Sequence, residues 1–199
     1  MSFKVKDHYF KKAKKESFIA RSVYKLEEID QKYQLLKKDD QVLDLGYHPG
    51  SWIQYTSKIT GPGGKVVGID IREVNEQMAK ISNVSVFKKD INDRPSLEDL
   101  GVEKKFDIVI SDMAPNTTGI KSVDQARSLN LVEMVFLSLD SYLKEGGNFV
   151  IKVFDSNEAQ VFLKEQKKRF KEFNYLKPKS TRSVSKEFFV IGKGYLKHD

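Results

Sequence analysis

The chain has 199 residues, a net charge of +7 and 39% hydrophobic residues, with 13 Phe and 8 Tyr; this suits one full-sized α/β core, crowds two substantial domains and excludes global disorder. It contains no cysteine, which excludes a disulfide framework, a cysteine nucleophile and a thiolate metal site, and His8, His48 and His198 lack local metal-ligand spacing. The N-terminus shows no apolar signal segment and no run is long enough to span a bilayer, so a soluble cytoplasmic protein without a membrane partner is the default expectation.

In chain order, residues 1–16 read as a basic N-terminal arm and residues 17–199 as the folded domain. Residues 17–33 read as a helix with Ile19, Val23, Leu26 and Ile29 on its apolar stripe. QVLDLG at 41–46 is a short buried strand, followed by a Pro49-Gly50 turn and a helix near 51–58. Gly61-Pro62-Gly63-Gly64 breaks the chain before a second strand at 65–70. Further strands are expected at 84–90 and 106–112, with a loop or short helix between them. The strongest helix candidate spans 124–143. Gly146-Gly147 introduces the strand NFVIKVF at 148–154, a helix near 157–172 follows, and two strands at 173–178 and 187–196 make a terminal hairpin. Alternating strands and helices predict an α/β fold: a single-domain, doubly wound, mainly parallel sheet.

The charge is uneven. Residues 1–16 carry six lysines against Asp7 and Glu16, a net +4, and residues 164–199 carry a net +7, which leaves −4 on the 147 residues between them. Two basic ends around a mildly acidic body suggest a polyanion-facing surface. Ordinary solubilising charge and attraction to a membrane surface remain alternative readings of charge alone.

Asp44-Leu45-Gly46-Tyr47-His48-Pro49-Gly50-Ser51-Trp52 joins the first strand to the following helix. Gly46 and Gly50 permit tight turns and close approach of a ligand to backbone, at the strand end where such sheets bind ligands. Asp70 and Asp90 end the second and third strands, where carboxylates can meet ribose hydroxyls and an adenine amino group. GxGxxG and Walker A patterns are both missing. Individually, Asp44 can support a turn, Asp70 and Asp90 can end strands, and Trp52 can fill the core. Together these residues favour an adenosine-containing cofactor.

Lys152 interrupts the apolar run Phe149–Phe154. A charged amine in a buried strand must reach solvent or be held by partners. An edge or snorkelling lysine is the bland alternative. Lys25, Asp112 and Glu187 are polar residues in similar settings.

The ordered motifs RSVYKL at 21–26, DLGYHPGSW at 44–52, ISDMAPNTTG at 110–119, GGNFVIKVF at 146–154 and RSVSKEFFVIGKG at 182–194 resemble the FtsJ family of ribose 2′-O-methyltransferases, over nearly the whole body. The resemblance implies a Rossmann-like methyltransferase domain with a seven-stranded sheet and an antiparallel terminal strand. It implies S-adenosylmethionine as cofactor, S-adenosylhomocysteine as product, and no metal. Gly46, Gly50, Trp52, Asp70, Asp90 and Asp112 fall at its cofactor positions. Tyr47, His48 and Ser51 depart from the family's usual small residues. Lys25, Asp112, Lys152 and Glu187 fall at its catalytic tetrad, with Lys152 as the proton acceptor. The implied substrate is a uridine in the A loop of large-subunit rRNA, presented in the large ribosomal subunit, with no obligate protein partner. The basic ends then supply phosphate contacts from Lys11, Lys12, Lys14, Lys15 and Arg21, and from Lys177, Lys179, Arg182 and Lys186. A tRNA ribose methyltransferase and a noncatalytic rRNA-binding assembly factor are the competing expectations.

Overall fold

The computed structural model describes residues 3–182 and 185–197. The elements, in chain order, are α1 (Phe3–Lys15), α2 (Val23–Tyr33), β1 (Gln41–Leu45), α3 (Ser51–Thr60), β2 (Lys65–Asp70), α4 (Glu76–Ala79), β3 (Val84–Lys88), β4 (Phe106–Ser111), α5 (Lys121–Tyr142), β5 (Leu143–Phe154), α6 (Asn157–Gln166), β6 (Phe170–Leu176) and β7 (Glu187–Tyr195). The seven strands form one sheet in the order β3-β2-β1-β4-β5-β7-β6. β7 runs antiparallel to both neighbours, β5 and β6, and the other pairings are parallel. The chain runs outward from β1 in two directions, so the strand order reverses between β1 and β4, the place where open α/β sheets bind ligands.

The central strands are apolar on both faces because helices cover both sides. Val42, Ile108, Ile110, Val150 and Phe189 face α2 and α3, where they meet Val23, Leu26, Ile29, Trp52 and Tyr55. Leu43, Val109, Phe149, Ile151 and Val153 face the other way, onto Val132, Val135, Phe136 and Leu139 of α5. Each such side chain, fully buried, contributes roughly 1.5–3 kcal/mol of hydrophobic stabilisation.

α2 begins at Val23, not at residue 17. Ser17 has a left-handed backbone (φ 61°), and Gln54 clamps the linker instead: it accepts from the Ile19 amide at 2.8 Å and donates to the Ser17 carbonyl at 3.2 Å. Ile19 therefore lies outside the apolar stripe and is exposed. At the far end of α2, Asp30 Oδ1 accepts from the amides of Leu35 and Leu36, both at 2.9 Å, and Oδ2 accepts from Tyr55. These contacts fix α2 against α3 and the start of β1.

The basic arm is helical and rests on the body. Ala13 is buried, the Tyr9 ring meets Tyr24 at 5.4 Å, and Lys12 pairs with Glu16 and Glu27. β5 starts earlier than expected, at Leu143, because Gly146-Gly147 lies within an irregular pairing with β4 and does not precede the strand. A Cβ on Gly147 would sit 2.9 Å from the Asp107 carbonyl. α6 ends at Gln166, short of residue 172, because Phe170 turns into the core and stacks on Phe149 at 5.7 Å.

Candidate active site

A cleft of about 600 Å³ opens at the carboxyl ends of the central strands. Leu45 and Gly46 at the end of β1, Ile69 and Asp70 at the end of β2, Asp90 after β3 and Asp112–Asn116 after β4 line it, with α5 forming one wall. Gly46 has φ +74°, and a Cβ there would lie 2.1 Å from Met113 Cγ. Glycine thus lets the loop after β4 close over the end of β1.

Asp70 uses each carboxylate oxygen once, accepting from the amides of His48 (3.1 Å) and Arg72 (2.9 Å). Asp90 Oδ1 accepts from the amide and the side chain of Asn92, both at 2.9 Å. Both carboxylates keep acceptor capacity for hydroxyl or amino donors. His48 lines the rim, with Nδ1 at 3.3 Å from the Arg72 guanidinium.

Gly50 and Trp52 stand apart from the lining. Gly50 makes room for Met78, whose Sδ would be 2.4 Å from an added Cβ. Trp52 is buried, stacks against Phe189 at 5.9 Å and donates its indole N–H to the Ser22 carbonyl at 2.9 Å. It ties α3 to the start of α2, one turn before Lys25. Its apolar surroundings and satisfied N–H give it a structural placement.

Lys25, Asp112, Lys152 and Glu187 converge. Ser111 pairs with Ile151 across β4 and β5, so Asp112 and Lys152 come next in the same register. Phe154 pairs with Glu187, which opens β7 on the other side of β5. Lys152 Nζ lies 2.9 Å from Asp112 Oδ1 and 2.5 Å from the Asp112 carbonyl. Lys25 Nζ lies 2.6 Å from Glu187 Oε1 and 3.8 Å from Asp112 Oδ1. The side chain of Lys152 is 7% exposed and that of Asp112 20%. β5 is an interior strand, so Lys152 is neither an edge nor a snorkelling residue. It is a buried cation held by a carboxylate.

Burial alone would raise the Glu187 pKa, but the charge and hydrogen bond of Lys25, with Lys152 behind, hold it below the usual glutamate value. Two ammonium groups and two carboxylates thus form a connected, charge-balanced row. Asp112 is the member of the row that lines the cleft.

Asp44 is the polar residue whose setting sequence reasoning undervalued. It is 1% exposed within β1, and its Oδ2 has no hydrogen-bond partner among the described residues. Burial first, then the charges of Asp112 and Asp70, push its pKa well above the usual carboxylate value. The signal was available: an acid inside an apolar strand poses the same question as Lys152.

A family model described as FtsJ-like methyltransferase matches residues 18–195. The chain belongs to this family. It is 45% identical over 192 residues to the ribosomal RNA large subunit methyltransferase E of Bdellovibrio bacteriovorus, covering 96% of this chain and 98% of that protein. Identity to the protein of the same name from Syntrophobacter fumaroxidans is 46% over 193 residues, covering 96% and 97%. Among solved structures, a candidate ribosomal RNA methyltransferase from Plasmodium falciparum superposes with a TM-score of 0.77 at 28% identity, covering 91% of this chain and all of that one. An FtsJ-like protein is an S-adenosylmethionine-dependent methyltransferase.

Several basic residues of this FtsJ-like chain are held by neighbours. Lys12 is engaged with Glu16, Glu27 and the Tyr24 ring (4.2 Å), and Arg21 donates to the Ser180 carbonyl at 2.7 Å while facing Tyr9. Lys177 donates to the Ser185 carbonyl at 2.6 Å. Lys11, Lys14, Lys15, Lys179, Arg182 and Lys186 are exposed. Glu28 accepts from the amides of Lys179 and Ser180 at 2.6 and 2.9 Å, which fastens the loop after β6 to α2. Two basic surfaces far apart in sequence thereby flank α2, the helix that carries Lys25. Among the described residues no group of three His, Cys, Asp or Glu is placed to hold a metal, and no helix is long and apolar enough to cross a membrane. His198 lies outside the described residues.

Proposed function

We propose that the protein transfers a methyl group from S-adenosylmethionine to a ribose 2′-hydroxyl of large-subunit rRNA, at a uridine of the A loop presented within the large ribosomal subunit. The observation that carries this reading is the joined row Lys152–Asp112–Lys25–Glu187, which reaches the cleft through Asp112. The names of the relatives support the RNA class.

The cleft suits the cofactor chemically. Asp70 and Asp90 offer acceptors to ribose hydroxyls and an adenine amino group, and the Asp112 carboxylate lines the same cleft. Gly46 and Met113 line the cleft together at the end of β1. When bound, S-adenosylmethionine supplies an electrophilic methyl on a sulfonium centre.

A ribose hydroxyl is a weak nucleophile while it keeps its proton. Lys152, once its resting ammonium has released a proton to solvent, takes the hydroxyl proton on Nζ as the oxygen attacks, acting as general base from its neutral form. Asp112 holds Nζ from two directions, by its side chain and its carbonyl, and stabilises the ammonium that forms. Lys25 sets positive charge beside the oxygen that becomes negative, and Glu187 fixes Lys25 through the 2.6 Å contact. No covalent protein intermediate is needed. Exposed lysines on the two surfaces flanking α2 provide phosphate contacts, which position RNA without reading its sequence.

The test is methyl transfer from labelled S-adenosylmethionine to unmethylated large subunits, naked large-subunit rRNA and tRNA in parallel. Transfer to the large-subunit substrates supports the reading. Transfer confined to tRNA, or none by folded protein that binds the cofactor, overturns it.

A further inference from the structure

A second cleft lies beyond the tetrad. It has about 680 Å³ and opens between the N-terminal ends of α5 and α6 and the start of β7. Glu187 lines this cleft, whereas Asp112 lines the cofactor-side cleft, and Lys25 contacts both carboxylates. The ion-paired row therefore separates two cavities. A methyl donor on one side leaves the other for the strand that carries the acceptor oxygen.

The lining of the second cleft indicates what it can hold. Lys121, Lys177 and Lys186 supply donors and Asp155 and Glu158 supply acceptors, while Glu187 is already paired with Lys25. Such a mixed floor suits a nucleobase edge, which offers donors and acceptors side by side, and Asn157 adds an amide that does the same. Phe188 supplies an apolar wall, with the half-exposed Tyr175 ring 5.8 Å behind it. RNA read in single strands is recognised by splayed bases stacked on aromatic rings and hydrogen-bonded at their edges.

We propose that this cleft receives the base of an unpaired nucleotide adjoining the target ribose, against Phe188 and with its edge toward Asp155 and Asn157. The site thereby selects a single-stranded RNA segment over a duplex. This rests on the methyltransferase reading for the identity of the target ribose.

Two variants test it on the large-subunit substrate that the wild type methylates. Phe188→Leu keeps an apolar side chain but removes the aromatic face, and Asn157→Ala trims an exposed amide at the helix end. Each is expected to raise KM for RNA about tenfold, in line with the loss of one stacked or hydrogen-bonded base, with kcat at saturating RNA within about twofold and cofactor affinity at the wild-type value. In a companion experiment, large-subunit rRNA transcribed with 5-iodouridine is irradiated with the wild-type protein, and the crosslinked peptide is expected to contain Phe188. Crosslinking requires binding but no turnover. Crosslinking at Phe188 without methyl transfer would contradict the enzymatic reading and uphold the cleft. Normal KM in both variants, or crosslinks that avoid β7 and α6, would overturn the cleft while turnover stands.

Discussion

Replacing Lys152 by methionine separates stability from chemistry at the point where the structure links them most tightly. The lysine side chain is 7% exposed, and among the described residues its amine is bonded to Asp112 alone, through one carboxylate oxygen and one carbonyl. Methionine fills the same stem volume without the charge. Asp112 is not stranded, because Lys25 remains 3.8 Å away and its side chain is 20% exposed. Exchanging a buried ion for an apolar side chain of similar volume is often neutral or stabilising, and volume-conserving swaps usually cost below about 1.5 kcal/mol. At about 2–4 °C per kcal/mol for a chain of this size, Tm should stay within about 6 °C of wild type. Turnover should fall about 10²–10⁴-fold, the usual contribution of a positioned base, while cofactor affinity persists. Thermal unfolding, calorimetric titration with S-adenosylmethionine and methyl transfer from the labelled cofactor read the three quantities. Turnover within about threefold of wild type would refute the role given to Lys152.

Asp112→Ala makes the converse test, since it removes the side-chain partner of a buried ammonium. Breaking a buried pair costs about 3–5 kcal/mol, and the surviving contact to the residue-112 carbonyl puts the expectation at the low end, a Tm drop of about 6–12 °C; an unchanged Tm would show that Lys152 is not held as described. Asp44 gives a pH dependence. Its pKa is raised in the folded state, so its contribution to stability is full below the unfolded value near 3.8 and is lost as pH rises through the folded value. Asp44→Asn, which does not ionise, should therefore exceed the wild type in unfolding midpoint at pH 8 and converge with it at pH 3.5; a pH-independent gap in cofactor-free protein would reject the buried-acid account. Trp52→Phe loses the hydrogen bond to Ser22, typically worth about 0.5–1.5 kcal/mol. It should lower kcat through Lys25 while leaving S-adenosylmethionine affinity within about threefold, and a large loss of cofactor affinity would return Trp52 to the cofactor site. Replacing Lys14 and Lys15 by glutamine should weaken RNA binding and lower the salt slope by about two if each neutralises one phosphate; unchanged filter-binding curves from 50 to 300 mM salt would exclude α1 from the RNA surface.

Much of the fold was legible because the strands are short apolar runs punctuated by glycine and proline. β2 begins and ends at Lys65 and Asp70 as read from KVVGID, and the hairpin of β6 and β7 was expected from their spacing. Three misjudged boundaries depend on contacts distant in sequence. The Gln54 clamp delays α2, pairing with β4 extends β5 through a double glycine, and Phe170 leaves α6 for the core. The helical state of residues 3–15 was not legible from lysine content, because its docking depends on Tyr9 and Ala13 meeting the body.

In the site, the charged residue within an apolar strand was the informative signal at Lys152. The motif resemblance joined Lys25, Asp112 and Glu187 to it, which no local pattern does; Lys25 and Glu187 meet only because β7 pairs beside β5 and α2 packs over both. The same charge-in-strand logic applied to Asp44. Its importance was missed because a strand-end aspartate is so readily taken as a turn former. Trp52 sat in a cofactor motif by sequence, yet its side chain points into the core.

The most direct measurement is nucleoside-resolution mapping of methyl groups on unmethylated large subunits after incubation with the protein and S-adenosylmethionine, alongside the Lys152→Met variant. The account predicts one 2′-O-methyluridine in the A loop with the wild type and none above background with the variant. A methyl group on a base, a modified site elsewhere in the rRNA, or equal modification by the variant would contradict it.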